Sequence, residues 1–262
     1  MQIAVVQFEP GADVTGNLDR ADNRIRNVVR RGADLVVLPE IWNVGYFAFE
    51  QYRSKAEPID GPTITHLREL AVELQIYLHT GSIVERDGER LYNTSALIGP
   101  EGNVLDTYRK LHLFGYESEE RRLLTPGDRI VAVDTALGTV GMVTCYDLRF
   151  PELFRALLES GVELLLVTSA WPAARLEHWQ LLTRTRALEN QVVLAAANLV
   201  GENAGVELAG RSCVVDPTGV PLADAGATPG SALVDVDPSV VDDARGAFPV
   251  VEERRIESEY TL

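Results

Sequence analysis

Short, unbroken apolar runs alternate along the chain with longer stretches in which apolar residues recur at helical spacing. The first two runs, residues 2–8 (QIAVVQF) and 34–40 (DLVVLPE), have the length and composition of buried strands. Between them Leu18, Ile25, Val28 and Val29 share one helical face, with Thr15 or Asn17 as the cap and Gly32 as the stop. Strand, helix and strand in succession form a βαβ unit, which predicts parallel pairing and a right-handed crossover.

From residue 41 to 60 no period holds, and Trp42, Tyr46, Phe47, Phe49 and Tyr52 accumulate in a loop beyond a strand tip, where open α/β sheets form pockets. After Gly61-Pro62 a helix capped by Thr63 runs to about Gln75. Residues 76–86 and 90–100 read as strands around an Asp87-Gly88 hairpin turn, and 104–110 is a further strand ending at Lys110. Residues 111–129 are loop-like and acidic. Strands follow at 130–135 and at 140–144, the second running into Cys145, then a helix over 151–159 and a buried strand over 163–172. A helix over about 176–190 and strands over 192–200, 211–219 and 230–238 complete the set. These elements predict an α/β fold in a single domain spanning 1–262, with mixed strand pairing and helices on the sheet faces. A short helix follows 239, and about 247–262 forms an acidic tail expected to pack on a partner subunit.

Composition narrows the class. The hydrophobic fraction of 46% is ordinary for a globular chain. No run reaches membrane-spanning length and no basic leader precedes the first strand, which predicts a cytoplasmic protein with no membrane partner. A net charge of −15 counts against nucleic acid. The two cysteines, Cys145 and Cys213, have neither metal-ligand nor disulfide-framework spacing, and His66, His79, His112 and His178 form no metal set. Of 24 Lys plus Arg, only Lys55 and Lys110 are lysine, which singles out Lys110 as a place where a compact amine matters.

Three reactive side chains share one structural context. Glu40, Lys110 and Cys145 each lie at or just beyond the C-terminal end of a predicted strand, and in an α/β sheet those ends share one edge. A carboxylate there can take the proton of a thiol, an ammonium can stabilise the oxyanion formed when sulfur attacks carbon, and the thiol can carry a covalent acyl group. A helix N-terminus beneath Cys145 predicts a lowered thiol pKa. On local sequence alone, a small buried hydrophobe accounts for Cys145 equally well.

LVVLPE with Glu40, YRKLHLF with Lys110 and GMVTCYDLRFPEL with Cys145 resemble the three catalytic motifs of the nitrilase superfamily of carbon–nitrogen hydrolases. The resemblance extends over nearly the whole chain, through QIAVVQF, YNTSALIGPEG, LTPGD and TRTRALENQVVLAAAN. It implies an α–β–β–α sandwich without a cofactor, whose subunits pair as a homodimer or higher homo-oligomer through helices near the active site. It also implies a triad in which Glu40 is the general base, Lys110 stabilises the tetrahedral intermediate and Cys145 is the nucleophile. The family's second glutamate precedes the Pro-Gly-Asp turn; counting back from Pro126 reaches Glu120, with Glu119 beside it. The backbone N–H of Tyr146 is the implied second oxyanion donor.

The activity implied is a cysteine-dependent amidase that converts a small aliphatic amide or an ω-amide to a carboxylic acid and ammonia through a thioester on Cys145. CYDLRFPEL is similar to the branch that contains ω-amidases. N-carbamoyl amino acid hydrolases and nitrilases use the same triad, and a catalytically silent binding or regulatory homologue is the non-enzymatic alternative. Tyr46, Tyr116, Tyr146 and Trp171 are the expected substrate-binding residues. Arg149 with Asp147 reads as a structural ion pair, although Arg149 and Arg175 would suit a substrate carboxylate. A Cys–His pair through His112 is a further alternative, with a structural His112 favoured over it.

Overall fold

Alternate residues of the same strands feed two different cores, and this produces the layered architecture. The computed structural model describes residues 1–116 and 118–255. Its strands are β1 (Gln2–Gln7), β2 (Leu35–Val37), β3 (Tyr77–Asp87), β4 (Arg90–Ile98), β5 (Val104–Arg109), β6 (Ala132–Thr135) and β7 (Gly138–Thr144), then β8 (Leu164–Ser169), β9 (Val193–Asn198), β10 (Val200–Asn203), β11 (Val206–Ala209), β12 (Cys213–Val215), β13 (Pro221–Asp224) and β14 (Gly230–Asp235). Its helices are α1 (Val14–Val29), α2 (Tyr52–Lys55), α3 (Pro62–Leu74), α4 (Glu120–Leu123), α5 (Pro151–Glu159), α6 (Leu176–Asn190) and α7 (Val240–Ala247).

The first sheet runs β14-β1-β2-β3-β4-β5 and the second β13-β12-β9-β8-β7-β6. Each has three parallel strands at its centre, β1, β2 and β3 in one and β7, β8 and β9 in the other, flanked by antiparallel neighbours. The βαβ expectation for residues 2–40 therefore holds. Ala4, Val6 and Val36 point outward against Ile25, Val28, Leu67 and Leu70 of α1 and α3. Ile3, Val5, Leu35 and Val37 point inward, meeting Val140, Met142, Leu164 and Leu166 of the second sheet. Leu165, Val167 and Leu194 point outward again, onto Leu153, Phe154, Leu157 and Trp179 of α5 and α6. Helix, sheet, sheet, helix is thus the layer order, and each fully buried aliphatic side chain contributes roughly 1.5–3 kcal/mol to it.

Several local expectations are corrected. The cap of α1 is Asp13, whose carboxylate accepts the Gly16 N–H at 2.8 Å. Asn17 is instead buried and ties the Gly11 and Asn43 carbonyls together. Gly61 caps α3; Thr63 sits inside its first turn and donates its N–H to the Glu57 carboxylate at 2.8 Å. The 192–200 run breaks at Leu199 into β9 and β10, and β10 pairs with β11 through a turn at Ala204-Gly205, both with positive φ. Within 211–219 only Cys213–Val215 is strand, because Asp216 accepts the N–H groups of Thr218 and Val220 and closes a turn. Among the described residues no helix is long and apolar enough to cross a membrane. The tail expected over 247–262 is described only to 255, and its packing on a partner lies outside the described residues.

Candidate active site

The ends of β2, β5, β7 and β8 lie at the same edge of the sandwich. β7 ends at Thr144, and the chain turns at Cys145 with φ 47°, in the left-handed region, into a short 3-10 helix over Cys145–Arg149. A side chain there costs about 1–3 kcal/mol of backbone strain, the price of a reactive group held on a sharp turn. Glu40 follows β2 by three residues. Its backbone is anchored by the Ser169 carbonyl at 3.2 Å, and the preceding Pro39 carbonyl accepts the Ser82 N–H at 3.1 Å. Gly81 makes that approach feasible: it has φ 65°, and a Cβ there would lie 2.0 Å from the Pro39 oxygen.

The side chains converge as a buried polar knot. Lys110 Nζ donates to Glu40 Oε1 at 2.8 Å and to both oxygens of Glu120 at 3.0 Å. Asn93 on β4 donates from Nδ2 to Glu40 Oε1 at 2.8 Å and to Glu120 Oε1 at 2.9 Å. The Ala170 N–H, just beyond β8, reaches Glu40 Oε2 at 2.9 Å, and the Cys145 thiol lies within the electrostatic reach of Glu40 and Lys110. Glu120 also accepts the Tyr46 hydroxyl at 3.0 Å and the Phe114 N–H at 2.7 Å. Glu40, Lys110 and Glu120 are all fully buried, whereas Cys145 is 9% exposed and faces a pocket.

Of the two adjacent glutamates it is therefore Glu120, the first residue of α4, that enters the knot. Glu119 is exposed and pairs with Arg122. Asn93 was not singled out from sequence. Its signal was an amide in a strand whose neighbours are buried, at a site where burial demands hydrogen-bond partners.

The electrostatics differ from the expectation for the thiol. Burial pushes the Cys145 thiol well above its ordinary range, the Glu40 charge adds to this, and Lys110 only partly opposes it. The N-terminus of α5 is at Pro151, not at Cys145, so it supplies no compensating field. The surroundings therefore favour the protonated form of the sulfur. Burial also raises the Glu40 carboxyl, with the Glu120 charge adding and Lys110 opposing. For Lys110 burial disfavours the charge, yet Glu120 and Glu40 outweigh it and hold the ammonium above the ordinary lysine value. A carboxylate near a thiol, beside a fixed ammonium, can move one proton and stabilise one developing anion.

A small, partly open pocket lies over Cys145. Tyr46, Tyr146 and Trp171 line it together with Phe114, Arg149 and Arg175. Tyr116 does not: it is 61% exposed and lies on the outer side of Arg175, its ring 5.7 Å from the guanidinium. The Arg149–Asp147 ion pair is also not formed. Asp147 is fully buried, and Arg149 instead lies over the Trp171 ring at 4.9 Å and donates to His178 Nδ1 at 3.2 Å. Two guanidiniums thus border the pocket, and neither forms a salt bridge among the described residues. His112 stacks on Phe150 with ring centroids 3.7 Å apart and engages Asp147 through Nδ1 at 2.8 Å, so its ring is committed away from the thiol.

A family model described as carbon-nitrogen hydrolase matches residues 2–246. The chain is 36% identical to the 2-oxoglutaramate amidase of Paenarthrobacter nicotinovorans, over 97% of this chain and 90% of that protein. It is 37% identical to the omega-amidase NIT2 of Homo sapiens, over 97% of this chain and 95% of that protein. Among solved structures, Nit3 of Saccharomyces cerevisiae, a member of branch 10 of the nitrilase superfamily, superposes with a TM-score of 0.90 at 33% identity, covering 98% of this chain and 97% of that one.

Proposed function

Since the chain belongs to the carbon–nitrogen hydrolase family and is a hydrolase of carbon–nitrogen bonds other than peptide bonds, we propose that it is a cysteine amidase cleaving the ω-amide of a short dicarboxylic or keto-dicarboxylic acid. The observation that carries the choice of substrate is the pair of guanidiniums, Arg149 and Arg175, beside Cys145 in a small aromatic pocket. Guanidiniums are the natural partners of a carboxylate, and a plain aliphatic amide would leave both without an anionic partner. The names of the two curated relatives support the same class.

The chemistry then follows from the geometry. Glu40 takes the thiol proton as sulfur attacks the amide carbon. The oxyanion forms against the Lys110 ammonium and the Tyr146 N–H. Glu40 returns the proton to the departing nitrogen, ammonia leaves, and a thioester remains on Cys145. Water activated by Glu40 attacks the thioester through a second tetrahedral species and releases the acid. Glu120 fixes Lys110 through both its oxygens, and Asn93 holds the two carboxylates at a constant separation.

The test is ammonia release from propionamide, the ω-amide of a keto acid, an N-carbamoyl amino acid and propionitrile. The keto-acid ω-amide is expected to have the highest kcat/KM. Arg149→Ala and Arg175→Ala should each lower its preference over propionamide by about tenfold or more, the size of one lost charged hydrogen bond. A preference for propionamide would remove the dicarboxylate reading, and a preference for the carbamoyl compound would move the activity to that neighbouring class. The pH profile carries a second expectation. Because burial raises the Glu40 carboxyl, the general base is lost as pH falls through a value above the ordinary carboxylate range. The acid limb of kcat/KM should lie above about pH 4.5. A limb at or below that value would show that Glu40 is not the titrating base.

A further inference from the structure

A carboxylate outside the Glu–Lys–Cys knot touches both segments that carry its reacting groups. Asp147 is fully buried, two residues after Cys145, and accepts four hydrogen bonds. Oδ2 accepts the Thr144 N–H at 2.9 Å, from the residue before the nucleophile. It also accepts the Tyr108 hydroxyl at 2.7 Å, from two residues before Lys110. Oδ1 accepts the His112 N–H at 3.0 Å and lies 2.8 Å from His112 Nδ1, two residues after Lys110. One side chain thus clasps the left-handed turn at Cys145 and brackets Lys110 on both sides. Burial and the Asp147 charge hold the Tyr108 phenol above its ordinary range, so it remains a donor. The flat stack of His112 on Phe150 fixes the ring that supplies the fourth contact.

We propose that Asp147 is a positioning residue that sets the Lys110 ammonium against the Cys145 sulfur, with Tyr108 and His112 as its two holds on the lysine-bearing segment. This rests on the assignment of Lys110 and Cys145 as the reacting pair. Lys110 and Cys145 come from different sheets, so their separation is set by contacts across the sandwich. Asp147 is a carboxylate that spans this junction at the point where the oxyanion forms. Its donors come from three backbone or ring nitrogens and one phenol, and these charge-assisted bonds constrain direction as well as distance. A misplacement of about 1 Å at a reacting centre costs about 100-fold in rate.

The experiment compares Asp147→Asn, Tyr108→Phe, His112→Ala and His112→Asn by kcat, KM and melting temperature on the best amide substrate. Asp147→Asn should lower kcat by about 100-fold with KM within about twofold, because the pocket walls stay in place. Tyr108→Phe should lose about tenfold in kcat, and combining it with Asp147→Asn should add little, because Tyr108 acts through Asp147. His112→Asn, whose amide N–H mimics Nδ1, should recover most of the kcat that His112→Ala loses. A histidine acting as base would not be replaced in this way. Full kcat in a folded Asp147→Asn protein, additive losses in the double variant, or a change confined to KM would overturn the proposal. If Asp147→Asn does not fold, Tyr108→Phe decides alone, and wild-type kcat in that variant is the overturning result. A wild-type protein silent on every amide would instead defeat the underlying assignment of the reacting pair.

Discussion

Cys145→Ala is expected to end ammonia release from every amide, by about 10⁴-fold or more, while the melting temperature stays near that of the wild type. Cys145 is the thiol that faces the pocket. The other cysteine, Cys213, is buried in β12 within the core beneath α5 and α6, where burial pushes its thiol up to about 12. Cys145→Ser should fall nearly as far. Burial already holds the native thiol well above its ordinary range, and a hydroxyl is harder still to ionise beside Glu40. Steady-state ammonia release with mass spectrometry of the acyl adduct checks both variants. Retained turnover in the alanine variant would remove the mechanism.

Lys110→Ala should lose turnover and also stability, by about 3–5 kcal/mol, the cost of removing one partner from a buried ion pair. Glu40 and Glu120 would remain buried and share Asn93 with no cation between them. The sign of the pH dependence follows. With Lys110 gone, the folded variant holds a carboxyl proton at pH values where the unfolded chain's glutamates have lost theirs. The folded state then binds more protons, and its stability declines as pH rises through the raised carboxyl pKa. The gap in melting temperature between wild type and variant should accordingly be larger at pH 8 than at pH 5. A gap of equal size at both, or a larger one at pH 5, would mean that the carboxylates do not depend on Lys110. Lys110→Arg keeps the charge but demands more volume and a fixed fork of donors in a fully buried position. Near-wild-type rates in that variant would place Lys110 away from the reacting centre.

Much of this could be read before any coordinates, because strand and helix periods are local. QIAVVQF and DLVVLPE became β1 and β2 with the parallel pairing expected of them, and α6 begins and ends at the expected residues. The three motif residues were legible as strand-end chemistry, and the structure brings them into one knot. What escaped were properties set by long-range packing. The distance from Pro126 points to Glu120 over Glu119, as found, but the inward direction of that side chain comes from the turn of α4. The thiol was expected to be acidified, yet dehydration and the Glu40 charge outweigh a helix that begins six residues later. Arg149 and Asp147, two residues apart, suggested an ion pair. The 3-10 turn points one into the interior and the other over Trp171. The β10–β11 hairpin was missed because its strands are short and partly exposed, and Ala204-Gly205 was not read as a turn.

The division of the knot between two sheets also bears on how the molecule is made. Glu40, Asn93 and Lys110 hang from the first sheet, Cys145 and Ala170 from the second, and the first sheet's outer strand β14 pairs with β1 from Gln2↔Asp235 to Gln7↔Gly230. During vectorial synthesis the nucleophile therefore leaves the ribosome long before the strand that closes the opposite sheet. The sheet that carries Glu40, Asn93 and Lys110 gains its outer strand only when residues 230–235 have been made, so chain ends far apart in sequence build the two halves of one site.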